Sequence, residues 1–125
     1  MSNLVMVVDD SAMIRMQVAR ALKESGLEVL QARDGRDAWD KLSGGSRPAL
    51  VICDVNMPRM NGIEFLEQIK GDGGYKDMPI IMLTTEGEPS LIRKARELGA
   101  KGWLVKPFQA ELLLATVNKI VLRDP

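Results

Sequence analysis

Leu4-Val5-Met6-Val7-Val8-Asp9-Asp10-Ser11 is an apolar run that stops abruptly on two acids. The chain repeats the device three times: Leu50 to Cys53 runs into Asp54, Ile80 to Leu83 into Thr84, and Trp103 to Val105 into Lys106-Pro107. Between these runs lie stretches with helical spacing, which makes a β-α alternation of five units with no low-complexity segment or linker. The pattern predicts an α/β fold, a doubly wound, five-stranded parallel sheet. Right-handed crossovers give the strand order 2-1-3-4-5, the flavodoxin-like arrangement, with strands one and three flanking the switch point where ligands bind.

The first helix is expected over Ser11 to Ser25, with Ile14, Val18, Ala21 and Leu22 on one face and Gly26 as its stop. Glu28 to Ala32 reads as a strand of mixed polarity suited to a sheet edge. The runs at Leu4, Leu50, Ile80 and Trp103 are continuous enough to be covered on both faces. Further helices are expected over Gly35 to Ser43, Gly62 to Lys70, Pro89 to about Leu98 before Gly99, and Gln109 to Leu122. On the last of these, Leu113, Leu114, Val117, Ile120 and Val121 share an apolar arc and form a core face. Leu112 and Leu122 fall outside it, either as part of a partner-binding patch or as residues at the core margin.

At 125 residues the chain is expected to be one domain, 1–125, with enough length to bury a core without disulfides. Seventeen basic and seventeen acidic residues leave no formal charge, and no basic run would track a nucleic acid or an anionic membrane. Neither partner is expected. The chain has no histidine, which excludes Ser-His-Asp and Cys-His catalysis and any phosphohistidine of its own. One cysteine, Cys53, cannot pair internally and reads as core, and the first apolar run is too short for a signal peptide or a membrane span. A cytoplasmic location follows as the expectation.

If the runs are parallel strands, Asp9, Asp10, Asp54, Thr84 and Lys106 converge on one sheet edge. Repulsion among three carboxylates would raise at least one pKa unless a cation intervened, and Mg²⁺ suits a site of few carboxylates, waters and a phosphate oxygen. Asp54, alone on the central strand, is the expected nucleophile toward phosphorus; Asp9 and Asp10 are placed to share the metal. Lys106 would be the counter-ion and Thr84 a hydroxyl ligand for the transferred group. Aspartates after strands also cap helices, and Asp10 or Ser11 is a candidate cap for the first helix.

These motifs carry a resemblance. Val8-Asp9-Asp10-Ser11, Asp54 through Gly62 (Asp-Val-Asn-Met-Pro-Arg-Met-Asn-Gly), Leu83-Thr84-Thr85 and Lys106-Pro107-Phe108 stand in the order and spacing of the receiver domain of bacterial response regulators. The chain most closely resembles the single-domain, CheY-type chemotaxis members of that family. The resemblance implies that a partner histidine kinase phosphorylates Asp54, with Asp9, Asp10, Asp54 and the Asn56 backbone carbonyl around Mg²⁺, and that the Lys106-Pro107 bond is cis. It implies self-catalysed dephosphorylation at a rate tuned by Asn56 and Glu86, both polar here, which points to a short-lived phosphoryl group. Thr85 replaces a commonly smaller residue and is expected to slow access to the site.

The resemblance also implies a switch pairing Thr84 with Trp103, and a target-binding face made of the fourth helix, fifth strand and fifth helix. Trp103 stands where tyrosine or phenylalanine is usual; it either moves inward on activation or stays outward as a contact surface. Other readings are an excised receiver of a longer regulator, or a phosphorylation-independent interaction module. A haloacid dehalogenase-type phosphatase would want an acid where Asn56 stands, and the acidic loop after the first strand would repel a flavin phosphate.

Overall fold

The computed structural model describes residues 3–57, 60–85 and 89–121. Five strands, β1 (Leu4–Val8), β2 (Glu28–Ala32), β3 (Leu50–Cys53), β4 (Ile80–Thr84) and β5 (Gly102–Val105), alternate with five helices. These are α1 (Ala12–Glu24), α2 (Gly35–Ser43), α3 (Gly62–Gly71), α4 (Pro89–Glu97) and α5 (Ala110–Val121). All pairings are parallel and the order is β2-β1-β3-β4-β5, as the crossover rule requires.

Alternate residues of the three inner strands feed two cores. Val5, Val7, Leu50, Ile52, Ile81 and Leu83 pack with Val18 and Leu22 of α1 and Leu113, Val117 and Val121 of α5. Met6, Val8, Val51, Cys53, Ile80 and Met82 face the other way, onto Leu42 of α2, Phe65, Leu66 and Ile69 of α3, and Ala95 of α4. This two-sided burial explains why β1, β3 and β4 are apolar without alternation.

The run at Trp103 departs from that expectation. β5 is the second edge of the sheet, so Trp103 and Leu104 are only partly buried and Val105 is 51% exposed. An edge strand receives cover from one sheet neighbour only, and its apolar composition therefore does not report two covered faces.

The helix ends follow local chemistry. The Ser11 hydroxyl accepts from the Ile14 amide at 3.2 Å and caps α1, so the cap is Ser11 and not Asp10. Gly26 (φ 87°) and Gly99 (φ 99°) take the left-handed conformation that stops α1 and α4; the next amides, of Leu27 and Ala100, bond back to Leu22 and Ala95. At α3, Asn61 and Glu64 form a reciprocal capping box, with bonds of 2.9 and 3.0 Å.

Gly62 then lets α3 start directly behind the end of β3. Its amide donates to the Val55 carbonyl at 2.8 Å, and a Cβ here would collide with the Asp54 carbonyl oxygen and lie 2.9 Å from Val55 Cα. Backbone on both sides cannot give way cheaply. Gly62→Ala should therefore lower unfolding free energy by about 3 kcal/mol, measured by urea denaturation; a change below about 0.5 kcal/mol, typical of a surface substitution, would contradict this packing.

Candidate phosphoryl-acceptor and metal site

The sheet register assembles the acids. Val8 lies opposite Cys53, and the Asp54 amide donates to the Val8 carbonyl at 2.9 Å, so the next residues along, Asp9 and Asp54, project to the same side of the sheet edge. One carboxylate oxygen from each of Asp9, Asp10 and Asp54 lies within 4.8 Å of the others. Asp9 and Asp54 are buried, at 2% and 6% exposure, whereas Asp10 faces solvent.

Lys106 enters from the end of β5, its amide bonded to the Thr84 carbonyl at 2.9 Å. Its ammonium lies 2.6 Å from Asp9 Oδ2 and 3.4 Å from Asp54 Oδ2, with the side chain 11% exposed. Asp9 uses its other oxygen to accept the Ser11 amide at 2.9 Å, and Asp54 Oδ1 accepts the Val55 amide at 2.7 Å. Asp54 Oδ2 thus carries the longer contact with Lys106 and, among the described residues, is the oxygen less committed to the protein. The Lys106-Pro107 peptide bond is cis.

Burial pushes the Asp9 carboxyl above its ordinary range; the Lys106 and Ser11 hydrogen bonds pull it back, and the Asp54 charge adds to the rise. The sequence reading attributed such a rise to repulsion alone. Desolvation is the larger cause because Asp9 is buried, whereas Asp10 faces solvent. Burial likewise lifts the Cys53 thiol well above its usual range, helped by the charges of Asp54 and Asp9, and the thiol donates to the Asp54 carbonyl.

Thr84 is fully buried at the end of β4. The β4-β5 register pairs Met82 with Trp103 and Thr84 with Val105, so Thr84 and Trp103 share the sheet face beneath α4. Trp103 packs on that core and, with Ile92, Ala95 and Arg96, lines a cavity of about 100 Å³. Asn56 and Thr85 are exposed on the loops after β3 and β4. Glu86 lies outside the described residues, as does Leu122; Leu112 is 54% exposed, on the surface rather than at the core margin.

Sequence reasoning missed Arg15. Its Nη1 donates to the Asp9 carbonyl at 2.7 Å and its Nε to Gln31 Oε1 at 3.1 Å. A cation in the N-terminal part of a helix opposes the macrodipole, and α1 has no acid in its first turn, so the position itself was the available signal.

Comparison with known proteins gives one family. The model for the response regulator receiver domain matches residues 5–118. Chemotaxis protein CheY1 of Helicobacter pylori is 38% identical over 109 residues, 86% of this chain and 88% of that protein. The CheY homolog of Campylobacter jejuni is 39% identical over 117 residues, 93% and 90% of the two chains. Among solved structures, CheY4 of Vibrio cholerae superposes with a TM-score of 0.88 at 43% identity, covering 96% of this chain and 99% of that one.

Three hard oxygen donors around one point fit a small divalent cation. If Mg²⁺ binds with a dissociation constant of about 1 mM, 10 mM Mg²⁺ should add about 1.4 kcal/mol of stability and raise the melting temperature by about 5 °C; Asp10→Asn should remove most of that rise. The raised Asp9 pKa means that the folded, metal-free chain holds this proton more tightly than the unfolded chain. Asp9 therefore adds stability to the metal-free fold as pH falls through its raised pKa toward the ordinary carboxylate value, and subtracts it at higher pH. The same protonation competes with the cation, so the Mg²⁺-induced rise should shrink across that acid window. Thermal melts with and without Mg²⁺ from pH 8 to pH 4 check both points; an equal rise in Asp10→Asn, or one unchanged by pH, would contradict the site.

Proposed function

We propose that this chain, which belongs to the response regulator receiver domain family, is a phosphorylation-activated signalling switch of a two-component system. A partner histidine kinase is the phosphodonor, since the chain has no histidine of its own, and the similarity to CheY proteins supports an output in chemotaxis. The reading rests above all on the meeting of Asp9, Asp10 and Asp54 within 4.8 Å, with Lys106 reaching two of them.

Asp54 Oδ2 attacks phosphorus, a P–O bond forms, and the P–N bond to the donor imidazole breaks with its electron pair returning to nitrogen, which takes a proton. Asp9, Asp10 and Asp54, with the Asn56 backbone carbonyl, would hold Mg²⁺, which when bound offsets charge on the carboxylates and the transferring oxygens. Lys106 exchanges its 3.4 Å contact with Asp54 for a phosphoryl oxygen while keeping Asp9 as its buried partner. The Thr84 hydroxyl turns toward the phosphoryl group. Asn56, Thr85 and Glu86 set how readily water reaches it.

Movement of Thr84 biases Trp103, which shares its sheet face, and thereby the α4-β5-α5 surface that includes Leu112 and the cavity beside Trp103. A shift from 1:99 to 99:1 requires about 5.5 kcal/mol of differential stabilisation. Among the described residues no helix is long and apolar enough to cross a membrane, and we assign the chain to the cytoplasm, where such kinases act on soluble regulators.

Intact-mass spectrometry after incubation with acetyl phosphate tests this reading. Wild type with Mg²⁺ should gain a phosphoryl mass, which disappears without Mg²⁺ or in Asp54→Asn. Labelling that persists in Asp54→Asn would contradict the assignment of the acceptor.

A further inference from the structure

Asp10 is the exposed member of the acid cluster, yet the peptides on both sides of it are anchored. On the N-terminal side, Asp9 lies one residue past the end of β1; its amide still bonds to the Ala32 carbonyl at 3.1 Å, but its own carbonyl turns to Arg15 Nη1 at 2.7 Å. On the C-terminal side, the Ser11 amide is held by Asp9 Oδ1 at 2.9 Å. Each peptide unit is planar, so fixing the Asp9 carbonyl and the Ser11 amide fixes the two dihedrals that flank Asp10 and hence the direction of its Cα–Cβ bond. Arg15 is itself braced from β2 by Gln31 Oε1 at 3.1 Å.

We propose that Arg15, braced by Gln31, is a positioning residue that aims the Asp10 carboxylate at the point shared with Asp9 and Asp54 and so tightens cation binding there. The inference rests on the cation reading of this cluster. Two effects of Arg15 oppose each other, which makes the direction of the result decisive. Removing a positive side chain near acids would by charge alone strengthen binding of a cation; removing a brace that holds a ligand in place weakens it, by about tenfold for groups behind a metal ligand. Gln31→Leu separates the two, because it loosens the guanidinium without changing any charge.

Calorimetric titration with MgCl₂ of wild type, Arg15→Met and Gln31→Leu tests the proposal. The dissociation constant should rise about tenfold in Arg15→Met and by a smaller factor in Gln31→Leu. The Mg²⁺ concentration that half-saturates acetyl phosphate labelling should rise in parallel, while metal-free Gln31→Leu melts close to wild type. Wild-type or tighter Mg²⁺ affinity in either variant overturns the proposal and leaves the receiver reading standing. A wild-type chain that binds no Mg²⁺ overturns the cation reading and this inference with it.

Discussion

Lys106 brings one positive charge, 2.6 Å from Asp9 and 3.4 Å from Asp54, to a sheet edge that carries three carboxylates. One ammonium cannot balance them. Two of the acids are buried, so the imbalance is felt in a medium that screens poorly, and removal of the lysine would leave two buried carboxylates without their ammonium partner. The edge therefore works against the stability of the fold while gathering three carboxylates and an ammonium at one point. A site of this kind breaks the ordinary rules of burial because its chemistry requires it.

The cost is carried by the sheet beneath. β1, β3 and β4 send alternate side chains into two cores, and in β3 and β4 every residue is buried. The same alternation that fills the cores decides what happens one residue further on: Asp9 and Asp54 emerge on a common side because Val8 and Cys53 are in register. Gly62 and the capping box at Asn61 bring α3 against the back of Asp54, so Asp54 stands on backbone fixed from two directions. Precision at the site is thus a property of register and close packing, with loops contributing the exposed Asp10, Asn56 and Thr85.

Much of this was legible in the chain. Apolar runs that end on Asp9, Asp54, Thr84 and Lys106 give the strands and the polar residues at their carboxyl ends together, and Ser11, Gly26 and Gly99 mark helix ends through local chemistry that needs no tertiary context. What escaped depends on neighbours. Gly102-Trp103-Leu104-Val105 is as apolar as a central strand, yet it lies at the edge of the sheet, with β4 its neighbour among the described residues, and Val105 is exposed. The origin of the raised Asp9 pKa is a matter of depth, which sequence does not encode residue by residue. Arg15 was missed because its long side chain reaches back past its own helix to the Asp9 carbonyl, a contact with no sequence periodicity. Leu112, ambiguous on a helical wheel, becomes a surface residue once α5 is docked.

The proposed chemistry requires this edge to hold a divalent cation and a phosphoryl-like group at the same time, with Asp54 as the acceptor. Fluorine NMR of the chain with beryllium fluoride, recorded with and without Mg²⁺, tests it most directly, since the trifluoride is a tetrahedral stand-in for a phosphoryl group on a carboxylate. Protein-bound fluorine resonances should appear, and should need both Mg²⁺ and Asp54. Bound resonances that survive in Asp54→Asn, or none in the wild-type protein with Mg²⁺, would contradict it.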